Sequence, residues 1–214
     1  MDIELNDAEA RVLGCLIEKS MTTPEYYPLS LTALTTACNQ KSNRNPVVSF
    51  DQKTVVRGIE SLKEKQLAVQ GDSSRVPKYA EIFVDRNNVV AREAALLMIL
   101  FLRGPQTLGE LRGRTERAYK FADLGEVEST IDDLIDAGYV TQLPRLAGRK
   151  EHRYAHLFCG EPQIEAETSR PEPATIEVRA ENERIAGLEN DVNQLKSEFS
   201  TLRDEFDQFR KEFE

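Results

Sequence analysis

The sequence predicts a mainly α chain with small β-hairpins, an α+β fold of two tandem winged-helix domains followed by a C-terminal coiled-coil helix. Three observations predict it. Apolar residues recur in short groups at helical spacing, and two of these stretches end in paired runs of strand-forming residues. The groups occur twice along the chain with their internal spacing preserved. Residues 185–213 then carry an unbroken heptad pattern.

Taken in order, residues 7–20 form the first helix, with Asn6 or Asp7 as its cap, Glu9 in the first turn, and an apolar stripe of Val12, Leu13, Leu16 and Ile17. The stretch TTPEYYP interrupts, because two prolines in five residues cannot continue a helix. Leu31, Leu34 and Ala37 mark a second helix and Val55, Ile59 and Leu62 a third. Between them lies NQKSNRNP, a loop with no apolar residue to bury. Ser49 with Gln52 three residues on has the pattern of a capping box for the third helix. LAVQ (67–70) and YAEIFV (79–84) are expected to be strands around a loop at 71–78. Three helices and a hairpin make the winged-helix order.

The order then recurs. Leu97, Leu100 and Phe101 lie 84 residues after Leu13, Leu16 and Ile17; Leu108 and Leu111 lie 77 after Leu31 and Leu34; Val127, Ile131 and Leu134 lie 72 after Val55, Ile59 and Leu62. Tyr139–Leu143 and Arg153–Phe158 supply the second hairpin. Packing fixes core spacing while loops change length, so shifting offsets between fixed groups indicate a duplicated domain. The first copy has 7 extra residues before its second helix and 5 after it, in TTPEYYP and NQKSNRNP. The domains are 1–88 and 89–160, followed by a proline-containing linker at 161–176 and a coiled-coil helix at 177–214.

In that helix Ile185, Val192, Phe199, Phe206 and Phe213 occupy position a. The g-to-e pairs Asp191–Lys196, Glu198–Arg203 and Glu205–Arg210 match in a parallel arrangement, whereas an antiparallel homodimer opposes acid to acid. Self-association through residues 185–213 is therefore expected, as dimer or trimer.

The net charge of −9 is unevenly placed. Residues 1–88 carry 11 Lys+Arg against 12 Asp+Glu, residues 89–160 carry 10 against 10, and residues 161–214 carry 7 against 15. The acidity belongs to the C-terminal stretch, so the low pI does not argue against nucleic acid for the rest. The mixed, acidic N-terminus lacks the pattern of a signal peptide. The longest apolar run, Ala94–Leu102, is about half the ~20 residues a bilayer span requires. With three widely separated cysteines as small core residues, a cytoplasmic protein with no membrane partner is expected.

No phosphate-binding glycine loop, zinc-type Cys pair or nucleophile elbow is present, so no enzyme, cofactor or metal is expected. His152, His156 and Cys159 lie close in sequence without a fourth ligand nearby, and are expected to be structural or surface residues. Double-stranded DNA is the expected partner, because a winged helix lays its third helix in the major groove and touches backbone with its wing. In copy one Gln52, Lys53 and Arg57 lie off the apolar stripe; Lys41 and Arg44 in the loop, and Arg75 and Lys78 in the wing, add phosphate contacts. Copy two exposes Glu126, Glu128, Asp132, Asp133 and Asp136 on its third helix, which phosphates repel. Either it meets DNA through Arg145, Arg149, Lys150 and Arg153 of its wing, or the acidic helix 126–136 docks a protein. A scaffold that binds proteins and not DNA is the alternative function.

The stretch TPEYYPLSLTALTTACNQKSNRNPV, with GPQTLGELRGRTER and LPRLAGRKEHRYAHLF, resembles the YceH-like family of bacterial proteins over roughly residues 5–160. The resemblance implies tandem winged-helix domains and a coiled-coil tail, and no established activity or ligand. Thr32 and Asn45 depart from the family pattern, where Asn and an acid are expected.

Overall fold

The computed structural model describes residues 3–71, 76–145 and 151–162. They fall in one compact unit, Met1–Thr168. The predicted linker and coiled coil lie outside the described residues. The fold is mixed α+β: helices carry most of it, with two small antiparallel sheets.

Helix α1 (Asp7–Thr22) begins at Asn6, whose side chain accepts from the Glu9 N–H while the Glu9 carboxylate accepts from the Asn6 N–H. This reciprocal pair satisfies two of the N–H groups that a helix start leaves unbonded. A short 3-10 turn at Pro24–Tyr26 and the two-residue strand β1 (Leu29–Ser30) lead into α2 (Leu31–Cys38). Helix α3 (Gln52–Glu64) is capped by Asp51, which accepts from the Thr54 N–H at 2.8 Å. The expected cap at Ser49 is therefore corrected to Asp51. A carboxylate one residue before the first helical residue reaches that N–H, and Ser49 is too far upstream.

Strands β2 (Ala68–Gly71) and β3 (Lys78–Glu81) pair antiparallel, and β1 adds to the free edge of β3 through Leu29 opposite Tyr79. The predicted strand at 79–84 ends early. Phe83 opens a helical turn, α4 (Phe83–Arg86), because the Val84 N–H bonds to the Glu81 carboxylate and the Arg86 N–H returns to the Ile82 carbonyl. Phe83 thereby turns inward, 5.5 Å from the ring of Phe158 and 6.4 Å from that of Phe101.

Helices α5 (Ala91–Arg103), α6 (Leu108–Thr115) and α7 (Leu124–Asp136) follow, then β4 (Val140–Leu143) paired with β5 (Arg153–His156). The second series reproduces the first. α2 and α6 have equal length and start 77 residues apart, as do α3 and α7 at 72. Asp123 caps α7 as Asp51 caps α3. The match extends to the third strand: Gln106 bridges Tyr154 at the position where Leu29 pairs with Tyr79.

Helix α5 is buried on every side from Ala94 to Arg103, which explains its continuous apolar run. It packs on α1, and Gly14 sits at the closest approach: a Cβ there would lie 2.9 Å from Phe101 Cβ and 3.0 Å from Leu102 Cδ2. Small residues at a crossing let two backbones approach, and here the two copies share one apolar core. The N-terminal segment adds a bond, from the Leu5 N–H to the Phe158 carbonyl at 2.7 Å. No helix among the described residues is long and apolar enough to cross a membrane.

Candidate nucleic-acid interface

Helix α3 is positioned from below. Val55, Gly58, Ile59 and Leu62 are its buried residues, and a Cβ on Gly58 would stand 3.2 Å from Val12 of α1. This close seat fixes the rotation of α3 about its axis. Gln52, Lys53 and Arg57 are exposed as a result, with Lys53 and Arg57 four residues apart on one face. Asp51 lies beside them, and its bonds from Thr54 hold its carboxyl below the usual range. Farther along, Glu60 pairs with Lys63 at 3.0 Å, and Glu64 is exposed. The basic character of α3 is therefore confined to its N-terminal half. Lys41 is exposed in the loop before α3, and Lys78 is half-buried in β3 opposite Ser30 and Gly71. Arg75 lies outside the described residues.

Arg44 is in a different place from the one expected. It is 1% exposed, and its guanidinium makes a two-pronged contact with Glu18 of α1 and donates to the Ala37 carbonyl from Nε (3.2 Å) and Nη2 (3.0 Å). Burial alone would raise the Glu18 pKa; the Arg44 hydrogen bonds and charge outweigh it and hold the carboxyl below its ordinary value. Arg44 is a structural cation with no face toward solvent, so the phosphate contact assigned to it is corrected.

The rest of the 39–51 loop is bound down in the same way. Asn39 exchanges two hydrogen bonds with the Phe50 backbone, both 2.7 Å, closing the loop at its base. The Asn45 N–H bonds to the Leu102 carbonyl and Asn43 Oδ1 accepts from Arg103 Nη1, each at 2.9 Å. Asn43 adopts φ 58°, a left-handed conformation that Asn tolerates better than most residues. Tyr27–Pro28 and Asn45–Pro46 are cis. The polar loop is a clasp between α1 and the end of α5. The other insertion is also anchored: Tyr27 Oη accepts from the Glu81 N–H at 2.6 Å.

Copy two presents the opposite charge. Helix α7 contains no Lys or Arg, and Glu128, Asp132, Asp133 and Asp136 are exposed. Glu126 departs from the expected acidic face: its carboxylate accepts from Tyr119 Oη at 2.9 Å and from the Ala122 N–H at 2.7 Å, tying the α6–α7 connection. Asp133 pairs with Arg92 of α5 at 3.3 Å. Of the wing cations, Arg145 is exposed and its Nε donates to His152 Nε2 at 2.9 Å. Arg153 is drawn to Glu110 at 3.5 Å, which binds it to the body of copy two. Arg149 and Lys150 lie outside the described residues.

His152, His156 and Cys159 do not converge. His152 is held between Arg145 and the Leu143 carbonyl, while the His156 ring lies 4.9 Å from Phe101. Among the described residues no group of three or more His, Cys, Asp or Glu is placed to hold a metal ion. The sequence also gave no sign that Cys15 and Cys38 would meet. Both are free and buried, side by side, with Arg44 Nη2 3.6 Å from Cys15 Sγ.

These features define a mixed α+β protein in which a helix–helix–helix–hairpin order occurs twice, with exposed basic residues on α3 and exposed acidic residues on α7. The chain belongs to the family described as Protein of unknown function, DUF480, whose model matches residues 5–149. It is 55% identical over 200 residues to a UPF0502 protein of Geobacter sulfurreducens, covering 91% of each chain. It is 54% identical over 197 residues to one of Geotalea uraniireducens, 90% of each. A Solibacter usitatus UPF0502 protein is 51% identical over 202 residues, 93% of this chain and 96% of that one. The YceH-like resemblance over roughly residues 5–160 agrees with this membership.

Proposed function

We propose that the protein is a non-enzymatic, cytoplasmic DNA-binding protein of tandem winged-helix architecture, with a role in transcription. On this reading it self-associates through a parallel coiled coil of residues 185–213. The observation that carries the reading is the N-terminal half of α3. It presents Gln52, Lys53 and Arg57 to solvent on a helix seated rigidly against α1, with Lys41 in the loop just before it. In helix-turn-helix proteins the N-terminal residues of the recognition helix reach base edges. Gln matches adenine, and Arg matches guanine or phosphate.

The test is fluorescence anisotropy of a labelled random duplex against the full chain over a salt series. Affinity falls steeply with salt if phosphates are neutralised. Lys53→Ala with Arg57→Ala weakens binding and flattens the slope by about two phosphate contacts. Absence of binding at low salt refutes the proposal.

A second reading is favoured by α7 alone. A helix with no basic residue and with Glu128, Asp132 and Asp136 exposed suits a basic protein partner and not a nucleic acid. Asp132→Lys with Asp136→Lys releases that partner in a pull-down and leaves the α3 surface intact. Self-association is tested by sedimentation: removal of residues 177–214 yields a smaller assembly.

A further inference from the structure

A cavity of about 740 Å3 lies between α1, the 39–51 loop, the C-terminal half of α5 and β5. Its volume is within the range of small-molecule sites. Pro46, Val48, Phe50, Leu100 and Phe101 give it apolar walls. Two polar residues, Arg11 and His156, also line it. Arg11 is 4% exposed; Nη1 donates to the Cys38 carbonyl at 3.2 Å and Nη2 to the Pro46 carbonyl at 2.7 Å. Its Nε is buried without a hydrogen-bond partner. His156 lines the same cavity, and its Nδ1 is likewise buried and unpartnered.

Both acceptors of Arg11 are neutral carbonyls, so its charge is buried without a carboxylate bonded to it. Burial also pushes its pKa down, the direction that a bound anion would reverse. A guanidinium with a vacant Nε–H edge matches a carboxylate, which takes two parallel N–H bonds. The acids that line the cavity, Asp7 and Glu161, are exposed, whereas Arg11 is buried. The cationic end is therefore the deeper one. Arg11 adjoins the apolar stripe of α1 without belonging to it, and no local pattern singles it out.

We propose that this cavity binds a small carboxylate with an apolar or aromatic body. The carboxylate accepts from Arg11 Nε–H, which a small shift of the side chain brings to the cavity wall, and the body packs on Val48, Phe50 and Phe101. The proposal is independent of DNA binding.

Calorimetric titration of the full chain tests it, with phenylacetate as probe, phenylacetamide as its neutral isostere, and inorganic phosphate as an anion without a body. Phenylacetate is expected to bind with a Kd on the order of 1 mM or tighter. Phenylacetamide and phosphate are expected to bind about tenfold more weakly or not at all. Arg11→Lys keeps the charge but removes the Nε donor, and should lose the preference for phenylacetate over the amide. Because Arg11 also anchors Cys38 and Pro46, Val48→Phe supplies a second arm. Val48 is half-buried and makes none of those bonds, and the larger ring fills the cavity and abolishes phenylacetate binding. No heat with phenylacetate, equal affinity for the amide or for phosphate, or unchanged affinity in Val48→Phe overturns the proposal.

Discussion

Arg44 donates to both carboxylate oxygens of Glu18, Nη1 to Oε1 at 3.1 Å and Nη2 to Oε2 at 2.7 Å, across 26 residues of chain. The arginine side chain is 0% exposed and the glutamate 13%. Two buried charges with this geometry stabilise each other, and removing either leaves the other uncompensated in a low-dielectric site. Arg44→Ala is expected to cost about 3–5 kcal/mol in urea unfolding. Glu18→Gln should cost less, because the amide still accepts one hydrogen bond.

The same pair gives an acid limit. The folded Glu18 pKa is below its ordinary value of 4.5, so the unfolded chain binds the proton more readily. Its contribution is complete above pH 4.5 and is lost as pH falls through the lower, folded value. Chemical denaturation across this range should show a drop that Arg44→Ala largely removes.

His156 acts at milder pH. Burial lowers its pKa from 6.5 to about 4, with nearby Asp7 opposing the shift. The unfolded state thus binds more protons between these values, and stability rises with pH through the window. The effect is bounded at roughly 3 kcal/mol, and less where water reaches the ring. His156→Phe should flatten unfolding free energy between pH 6.5 and pH 4, measured against wild type.

Gly14 marks the contact between the copies. Gly14→Ala forces a methyl to 2.9 Å from Phe101 Cβ, whose position the backbone sets, and to 3.0 Å from the Leu102 side chain. Overpacking of this kind costs about 1–3 kcal/mol, against the small gain in helix propensity that alanine brings elsewhere. A lowered melting temperature in differential scanning calorimetry is the expected result.

The correction at α3 can be checked directly. Asp51→Ala removes the cap of that helix and should lower the melting temperature by about 2–4 °C. Ser49→Ala should leave it unchanged.

Much of the architecture was legible because it rests on periodicity. The offsets of 84, 77 and 72 between apolar groups are the offsets between α1 and α5, α2 and α6, and α3 and α7. Core spacing survives duplication, and so it can be read without coordinates. What escaped depends on long-range partners. Arg44 looked like a solvent-facing loop cation because nothing local announces Glu18. Phe83 looked like a strand residue because its helical turn is set by the Glu81 carboxylate. At the candidate interface Gln52, Lys53 and Arg57 were placed by the Val55/Ile59/Leu62 period, and the structure leaves them exposed. The cavity was invisible, since its walls come from four separate segments.

The clasp at residues 39–51 bears on how the first helix–helix–helix–hairpin series is tied to the second. Two copies with similar surfaces can in principle trade places between molecules, head to tail, without limit. Here Asn43 and Asn45 grip Arg103 and Leu102, and the matching insertion is missing from the second copy. The grip therefore has one direction and one recipient, and it closes within the chain.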